Sequence, residues 1–361
     1  KMIRDIDKYY LDMTLKLAEK GEYTVYPNPK VGAVIVKNNK VVGSGYHKSP
    51  GSPHAEAIAI KQAGLKAKNS TLYVNLEPCS HFGKTPPCVD LIIKNQIKRV
   101  VIGNYDPNPL VNKKSITKLR RAGISVSTGI LKQRATLLNK EFYHMHQEKI
   151  PHITVKVGMS LDGKIALGNG HSKWITSIES RLDVQRERAK SSVILSTAKT
   201  IIKDDPLLNV REPCYLKQLS KQPDLAVIDN QLNLHKNLNI FNVPNRKIIL
   251  FTQSRKIKKL VENVDIIQLS NDNQYLKLAF RSLLKKGHYK VFVESGPTLI
   301  SSLIQQKLVN ELILYVSPKL LGHSSKSFSG INNITKLSDK INFKVHDILT
   351  IKDDLKIRLV R

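Results

Sequence analysis

A chain of 361 residues, 41% hydrophobic and 24% charged, is long enough for two globular domains and excludes wholesale disorder. Three cysteines exclude a disulfide framework, and a start unlike a signal peptide with no span-length apolar run predicts a soluble protein of the reducing cytoplasm. The unusual quantity is charge: 59 Lys and Arg against 29 Asp and Glu give +30, yet residues 1–150 (25 basic, 11 acidic) carry +14 and residues 151–361 (34 basic, 18 acidic) carry +16, so the excess is spread evenly.

In chain order, Ile3, Ile6, Tyr10, Met13 and Leu17 recur at helical spacing and predict a helix over 2–20. Strands follow at 31–36 and 40–46, joined by Asn38-Asn39 as a hairpin turn. A helix over 53–64, a strand at 71–76, a long loop and a helix from about 87 come next. A strand at 99–102, a helix at 115–122 and a strand at 124–127 complete an alternation that predicts a three-layer α/β unit. The pattern resets over 141–151, which divides the chain into domains 1–149 and 150–361. The second half alternates again. Strands are predicted at 152–157, 192–195, 224–228, 246–251, 290–293, 311–316 and 355–360, with helices at 177–190, 274–286 and 297–307. Thr176-Ser177-Ile178-Glu179 reads as a capping box for the first of these helices.

Chemistry concentrates in Pro53-His54-Ala55-Glu56, Glu77-Pro78-Cys79 and Pro87-Cys88. His54, Cys79 and Cys88 offer one imidazole and two thiolates, a soft set suited to Zn2+, and three protein ligands leave a fourth position for water. Glu56 is then left to carry a proton from that water to a departing amine, as in zinc deaminases. Any one of these residues alone is better explained as a core histidine or a small buried cysteine; the combination is not. A purely structural site needs a fourth ligand, for which His81 is the nearby candidate. Nucleobase deaminases separate the two cysteines by two residues, whereas eight, Ser80 to Pro87, intervene here. That insertion supplies an imidazole, a turn glycine and a cation (His81, Gly83, Lys84), which suits a small substrate carrying a phosphate.

Six stretches occur in an informative order: 26–32 (Tyr26-Pro27-Asn28-Pro29-Lys30-Val31-Gly32), Gly45-Tyr46-His47, 53–56, 76–81, 83–88 and Asp106-Pro107-Asn108-Pro109. In this they resemble the bifunctional deaminase–reductases of bacterial riboflavin biosynthesis. The resemblance implies that Asn28, His47, His81, Lys84 and Asn108 surround a pyrimidine and its ribose phosphate. It continues on 156–164, 172–177, 204–211, 294–298 and 317–322, and matches poorly only over 212–222. No Gly-x-Gly-x-x-Gly follows a strand in this half; the residues themselves offer one weaker phosphate cradle, Glu294-Ser295-Gly296-Pro297-Thr298, between an apolar strand and a helix. The family's second domain is similar to dihydrofolate reductase, which binds NADPH without that fingerprint.

The implied architecture is therefore α/β, a three-layer cytidine-deaminase-like domain followed by a dihydrofolate-reductase-like domain. By resemblance Gly158, Trp174, Thr200 and Asp204 contact NADPH, together with the run Gly296, Pro297, Thr298, Leu299, Ile300, Ser301 and Ser302. Ser172, Arg188, Leu208, Arg211 and Glu294 line the substrate, the two arginines as phosphate clamps, and Lys156 stands near the reacting centre. The implied activity is zinc-dependent deamination of 2,5-diamino-6-ribosylamino-4(3H)-pyrimidinone 5′-phosphate, then NADPH-dependent reduction of the ribosyl group to ribityl. A homo-oligomer without membrane or nucleic-acid partners is expected. Two rivals are a nucleic-acid-editing zinc deaminase with an accessory domain and a non-catalytic zinc-binding interaction protein. The cysteine spacing and the second-half motifs weigh against the editing deaminase.

Overall fold

Strands that are apolar on both faces need a helical layer on each side, and both halves of the chain meet that demand. The computed structural model describes residues 5–82, 86–255, 261–270, 272, 274–331 and 334–361. The chain divides into two units, Lys1–Lys149 and Ile150–Arg361.

The first unit runs α1 (Asp5–Glu19), β1 (Gly32–Lys37), β2 (Lys40–Tyr46), α2 (Ala55–Ala63), β3 (Thr71–Leu76) and α3 (Cys88–Lys94). It continues with β4 (Arg99–Asn104), α4 (Lys114–Arg121), β5 (Ser125–Thr128), α5 (Lys132–Leu138) and α6 (Lys140–Glu148). Its sheet has the order β2-β1-β3-β4-β5, antiparallel about β1 and parallel from β3 to β5. Asn38 and Asn39 both take positive φ, 50° and 59°, as a tight two-residue hairpin requires. Successive strand residues serve opposite layers. Ala33, Ile35, Leu72, Val74, Val100 and Ile102 pack with α2, α3 and α4, while Val34, Val36, Tyr73 and Val101 meet Tyr10 and Leu11 of α1. The expected three-layer arrangement is present.

The second unit opens with β6 (His152–Ser160), β7 (Lys164–Ala166), α7 (Ile178–Ala189), β8 (Val193–Thr197), α8 (Ala198–Asp204), α9 (Pro213–Leu216) and β9 (Asp224–Ile228). It continues with β10 (Ile248–Thr252), β11 (Val264–Gln268), α10 (Tyr275–Lys285), β12 (Lys290–Val293) and α11 (Pro297–Gln305). The last elements are β13 (Glu311–Ser317), β14 (Lys326–Ser327), β15 (Lys344–Ile351) and β16 (Asp354–Val360). Among the described residues nine strands form one sheet, β11-β10-β9-β8-β12-β6-β13-β16-β15, parallel except for the last two pairings. Chain order leaves β6, skips a place to β8, runs outward, then returns to insert β12 beside β6. Such a reversal opens a crevice at the carboxyl ends of the central strands.

The capping box shifts by one residue. Ser177, not Thr176, caps α7, its Oγ accepting from the Ser180 N–H at 3.1 Å, so Glu179 is not the reciprocal partner. The sequence pattern also passed over β7, β11, β14 and β15, which are short or largely exposed and lack a clean alternation.

Candidate active sites

In the first unit the loop after β2 delivers His54 to the N-cap of α2, with extended backbone (φ −69°, ψ 161°) and a side chain that makes no cap. The imidazole turns instead to sulfur: Nδ1 lies 3.5 Å from Cys79 Sγ and 3.3 Å from Cys88 Sγ. Cys79 follows β3, and Cys88 opens α3, its N–H donating to Cys79 Sγ at 3.2 Å. One donor atom from each of His54, Cys79 and Cys88 lies within 4.8 Å of the others. Two thiols and one imidazole converging so closely fit a zinc ion, and among the described residues no carboxylate or further histidine joins the trio. The first of the two sulfurs is the more acidic: the Cys88 thiol and then His54 draw Cys79 down to about 4, while the bond to Cys79 and burial push Cys88 up.

Glu56 lies in the first turn of α2 and is 3% exposed. Burial, then the neighbouring Cys79, push its carboxyl up to about 7, the range of a group that both takes and gives protons at neutral pH. These residues and a cavity of about 400 Å³ meet. Its wall includes Asn28, His47, His54, Glu56, Cys79, His81 and Asn108. The His47 Nδ1 faces the Pro53 carbonyl at 3.3 Å, which leaves Nε2 to accept from the Asn28 amide at 2.8 Å. Burial and then the charge of His54 hold His47 below its ordinary value, so this neutral tautomer is the one the network favours. Lys84, the expected cation of the loop, lies outside the described residues.

Two carboxylates that lie inside the motifs but were given no role from the sequence, Glu77 and Asp106, complete this wall. Glu77 is buried and accepts from the Lys113 N–H at 3.0 Å, the Asp106 N–H at 3.3 Å and the Ser115 hydroxyl. It thereby ties the loop that carries Asp106 and Asn108 to the strand end that carries Cys79. Asp106 accepts from the Asn108 N–H at 2.8 Å, and burial pushes its carboxyl up to about 7.

In the second unit a cavity of about 870 Å³ lies where the parallel strands end, at Lys156–Gly158 of β6, Thr197–Thr200 after β8, Ile228–Asn230 after β9 and Glu294–Gly296 after β12. Lys156, Gly158, Ser172, Arg188, Thr200, Asp204, Leu208 and Glu294 all reach its wall, as do Gly296, Pro297, Thr298, Leu299, Ile300 and Ser302. Gly296 is the N-cap of α11 and adds no side-chain cap, Pro297 occupies the first helical position, and a Cβ at Gly296 would stand 3.8 Å from Thr200 Oγ1. A helix start that leaves its first turn open to a switch-point cavity of this size fits the phosphates of a dinucleotide such as NADPH.

Three expected contacts are not on that wall. Trp174 is 66% exposed and stacks under the Arg181 guanidinium, 4.0 Å from the ring centroid. Ser301 is turned inward, donating to the Pro297 carbonyl at 2.7 Å and accepting from the Gly330 N–H at 2.8 Å. Arg211 is exposed and donates to Asn209 Oδ1 at 2.9 Å. Arg188 does reach the cavity, but Glu294 holds its Nε at 2.6 Å and Nη2 at 3.1 Å, and Lys156 Nζ joins the same carboxylate at 3.2 Å. These two cations, with burial opposing them, hold Glu294 down at about 2. The cavity wall also carries Lys199, Lys203 and Lys326, which sequence reasoning missed because scattered lysines form no pattern.

Residues 151–357 match the family model described as the RibD C-terminal domain, and residues 4–104 match the cytidine and deoxycytidylate deaminase zinc-binding region. The chain is similar to the riboflavin biosynthesis protein RibD of Escherichia coli, with 40% identity over 98% of this chain and 99% of that one. Among solved structures it is similar to Acinetobacter baumannii RibD, at 36% identity, TM-score 0.92 and 99% of both chains. A diaminohydroxyphosphoribosylaminopyrimidine deaminase/5-amino-6-(5-phosphoribosylamino)uracil reductase from Thermotoga maritima is also similar, at 32% identity, TM-score 0.88 and 99% of both chains.

Proposed function

The chain belongs to the RibD family of bifunctional riboflavin-biosynthesis enzymes, and we propose that it divides the two reactions between its units, deamination in residues 1–149 and reduction in residues 150–361. It is a zinc-dependent hydrolase and an NADPH-dependent reductase. Hydrolytic deamination of 2,5-diamino-6-ribosylamino-4(3H)-pyrimidinone 5′-phosphate comes first, and reduction of the ribosyl group to ribityl follows. Nucleic-acid editing is not favoured, because the second half matches a reductase domain rather than an accessory module.

The observation that carries the first reaction is the convergence of His54, Cys79 and Cys88 beside the buried Glu56. Zinc held by those three residues supplies Lewis-acid activation of water at neutral pH. Glu56 takes one proton from the attacking water and returns it to the amine that leaves as ammonia. Asn28 and the neutral His47 orient the pyrimidine ring, while His81, Lys84 and Asn108 receive its phosphorylated ribose. In the second unit, NADPH bound in the cavity would be the source of the hydride that reduces C1′ of the sugar. Lys156, held by Glu294, supplies the proton that balances the hydride, and Gly158, Thr200, Asp204, Gly296–Ile300 and Ser302 bind the cofactor along one side of the cavity. Ser172, Arg188 and Leu208 take the pyrimidine side, with Arg188 acting through its fixed pair with Glu294.

Cytoplasmic residence suits three cysteines with no disulfide. No helix among the described residues is long and apolar enough to cross a membrane. A homo-oligomer is supported by the edge strand β15, which exposes Val345, Ile348 and Leu349. The test of the two-reaction reading follows ammonia release and NADPH oxidation separately, with and without a zinc chelator. Chelation is expected to stop ammonia release while leaving reduction of supplied 5-amino-6-(5-phosphoribosylamino)uracil intact; loss of both signals together would refute the division.

A further inference from the structure

The segment Leu208–Arg211 is irregular chain that meets the reductase cavity at Leu208, and its backbone is held by side chains rather than by a strand or helix. Arg246, which precedes β10, donates through Nη1 to the Leu208 carbonyl and through Nη2 to the Ile240 carbonyl, both at 2.7 Å. Arg188 donates through Nη1 to the next carbonyl, Asn209, at 2.8 Å. Gln222 accepts from the Val210 N–H at 2.9 Å and donates to the Val210 carbonyl at 2.8 Å. Gln185 accepts from the Arg211 N–H at 2.7 Å. Four consecutive residues are thus pinned by four side chains from three places in the fold, α7, Gln222 and Arg246.

Leu208 is where this pinning matters most. Its φ of +46° lies in the left-handed region that a leucine avoids, and the residue borders the cavity while its side chain is buried in the core cluster that includes Ile194, Ile201 and Leu225. The carbonyls of Leu208 and Asn209 go to two different guanidiniums, one of which, Arg188, is itself fixed by Glu294. Arg246 is 7% exposed, is not on the cavity wall, and gives its hydrogen bonds to carbonyls instead of a carboxylate. Burying a cation in this way is costly, and an apolar side chain would fill the space more cheaply. The property that an apolar residue or lysine lacks is the planar fork, which donates in two directions at once.

We propose that Arg246 is a positioning residue of the reductase site: through the Leu208 carbonyl it holds the left-handed turn that sets Leu208 against the pyrimidine substrate. The inference rests on the reading of Leu208 as a substrate contact. Steady-state reductase kinetics with 5-amino-6-(5-phosphoribosylamino)uracil and NADPH test both in one set of variants. Arg246→Met is expected to raise KM for the pyrimidine about tenfold while KM for NADPH stays within about twofold, because a small misplacement of one wall acts on one ligand. Glycine takes a left-handed turn without constraint, so in the Leu208→Gly background the same Arg246 substitution is expected to cost less than about threefold. Arg246→Lys keeps the charge but reaches one carbonyl, raises KM for the pyrimidine in the same direction, and carries the test if Arg246→Met does not fold. Equal changes in both KM values, or an undiminished effect in the Leu208→Gly background, would overturn the positioning role. If Leu208→Gly alone leaves KM for the pyrimidine unchanged, the substrate reading of Leu208 fails instead.

Discussion

Glu56 is two residues from His54 along the chain and buried beside the sulfur of Cys79, so its carboxyl is the group best placed to move protons where the three soft donors meet. Glu56→Gln keeps the side-chain volume and the donor trio but removes the group that shuttles the proton. Ammonia release is expected to fall by about 10²–10⁴-fold, the usual worth of a positioned acid–base group, with zinc content and NADPH-dependent reduction unchanged. Near wild-type ammonia release from this variant would remove Glu56 from its role. At this scale the donors were readable in advance because imidazole, two thiols and a nearby carboxylate form a rare chemical combination. Glu77 and Asp106 were not, since a carboxylate in a proline-rich loop gains its meaning only from partners such as the Ser115 hydroxyl and the Lys113 N–H. Arg188 was readable as a functional position, but its engagement by Glu294, 106 residues away in the chain, was not.

Elements place those residues, and α2 does so through its close seat on β2. A Cβ at Gly43 would lie 2.2 Å from the Ala59 carbonyl oxygen of α2, which is backbone and cannot rotate away. Gly43→Ala therefore has to push α2 off the sheet, and the N-terminal end of that helix carries His54 and Glu56. The expected cost is about 1–3 kcal/mol of stability from overpacking. It should appear as a lower Tm together with faster loss of zinc, measured by thermal unfolding and metal analysis. Gly330→Ala, whose Cβ would meet nothing within 4 Å, serves as the neutral comparison. An unshifted Tm for Gly43→Ala would mean that the helix has room to spare. The long elements with apolar periodicity, such as α10 and β13, were legible because burial dictates their spacing. In contrast β15, exposed along most of its length, gains its strand from pairing with β16, which leaves little trace in local composition.

For the whole molecule, the question raised by a charge of +30 is whether it marks a polynucleotide site. Several of the 29 acidic side chains are consumed in the interior: Asp7 pairs with Arg99, Asp183 and Glu187 share the buried Lys356, and Glu187 and Glu311 hold Arg358. Internal pairing neutralises a few cations and leaves the rest of the excess without carboxylates to offset it at the surface. Such a surface attracts RNA through counterion release alone, without reading any base. Binding to polyuridylate is therefore expected to weaken by at least about 10²-fold between 50 and 200 mM salt, because each neutralised phosphate adds to the salt slope. Saturating RNA should leave ammonia release from the small diaminopyrimidine phosphate unchanged, and the RNA itself should release none. Salt-resistant binding, or ammonia arising from a cytidine-containing RNA, would make the charge functional; otherwise a long-range field steers anionic pyrimidine and dinucleotide toward two cavities whose specificity is set by a handful of fixed groups.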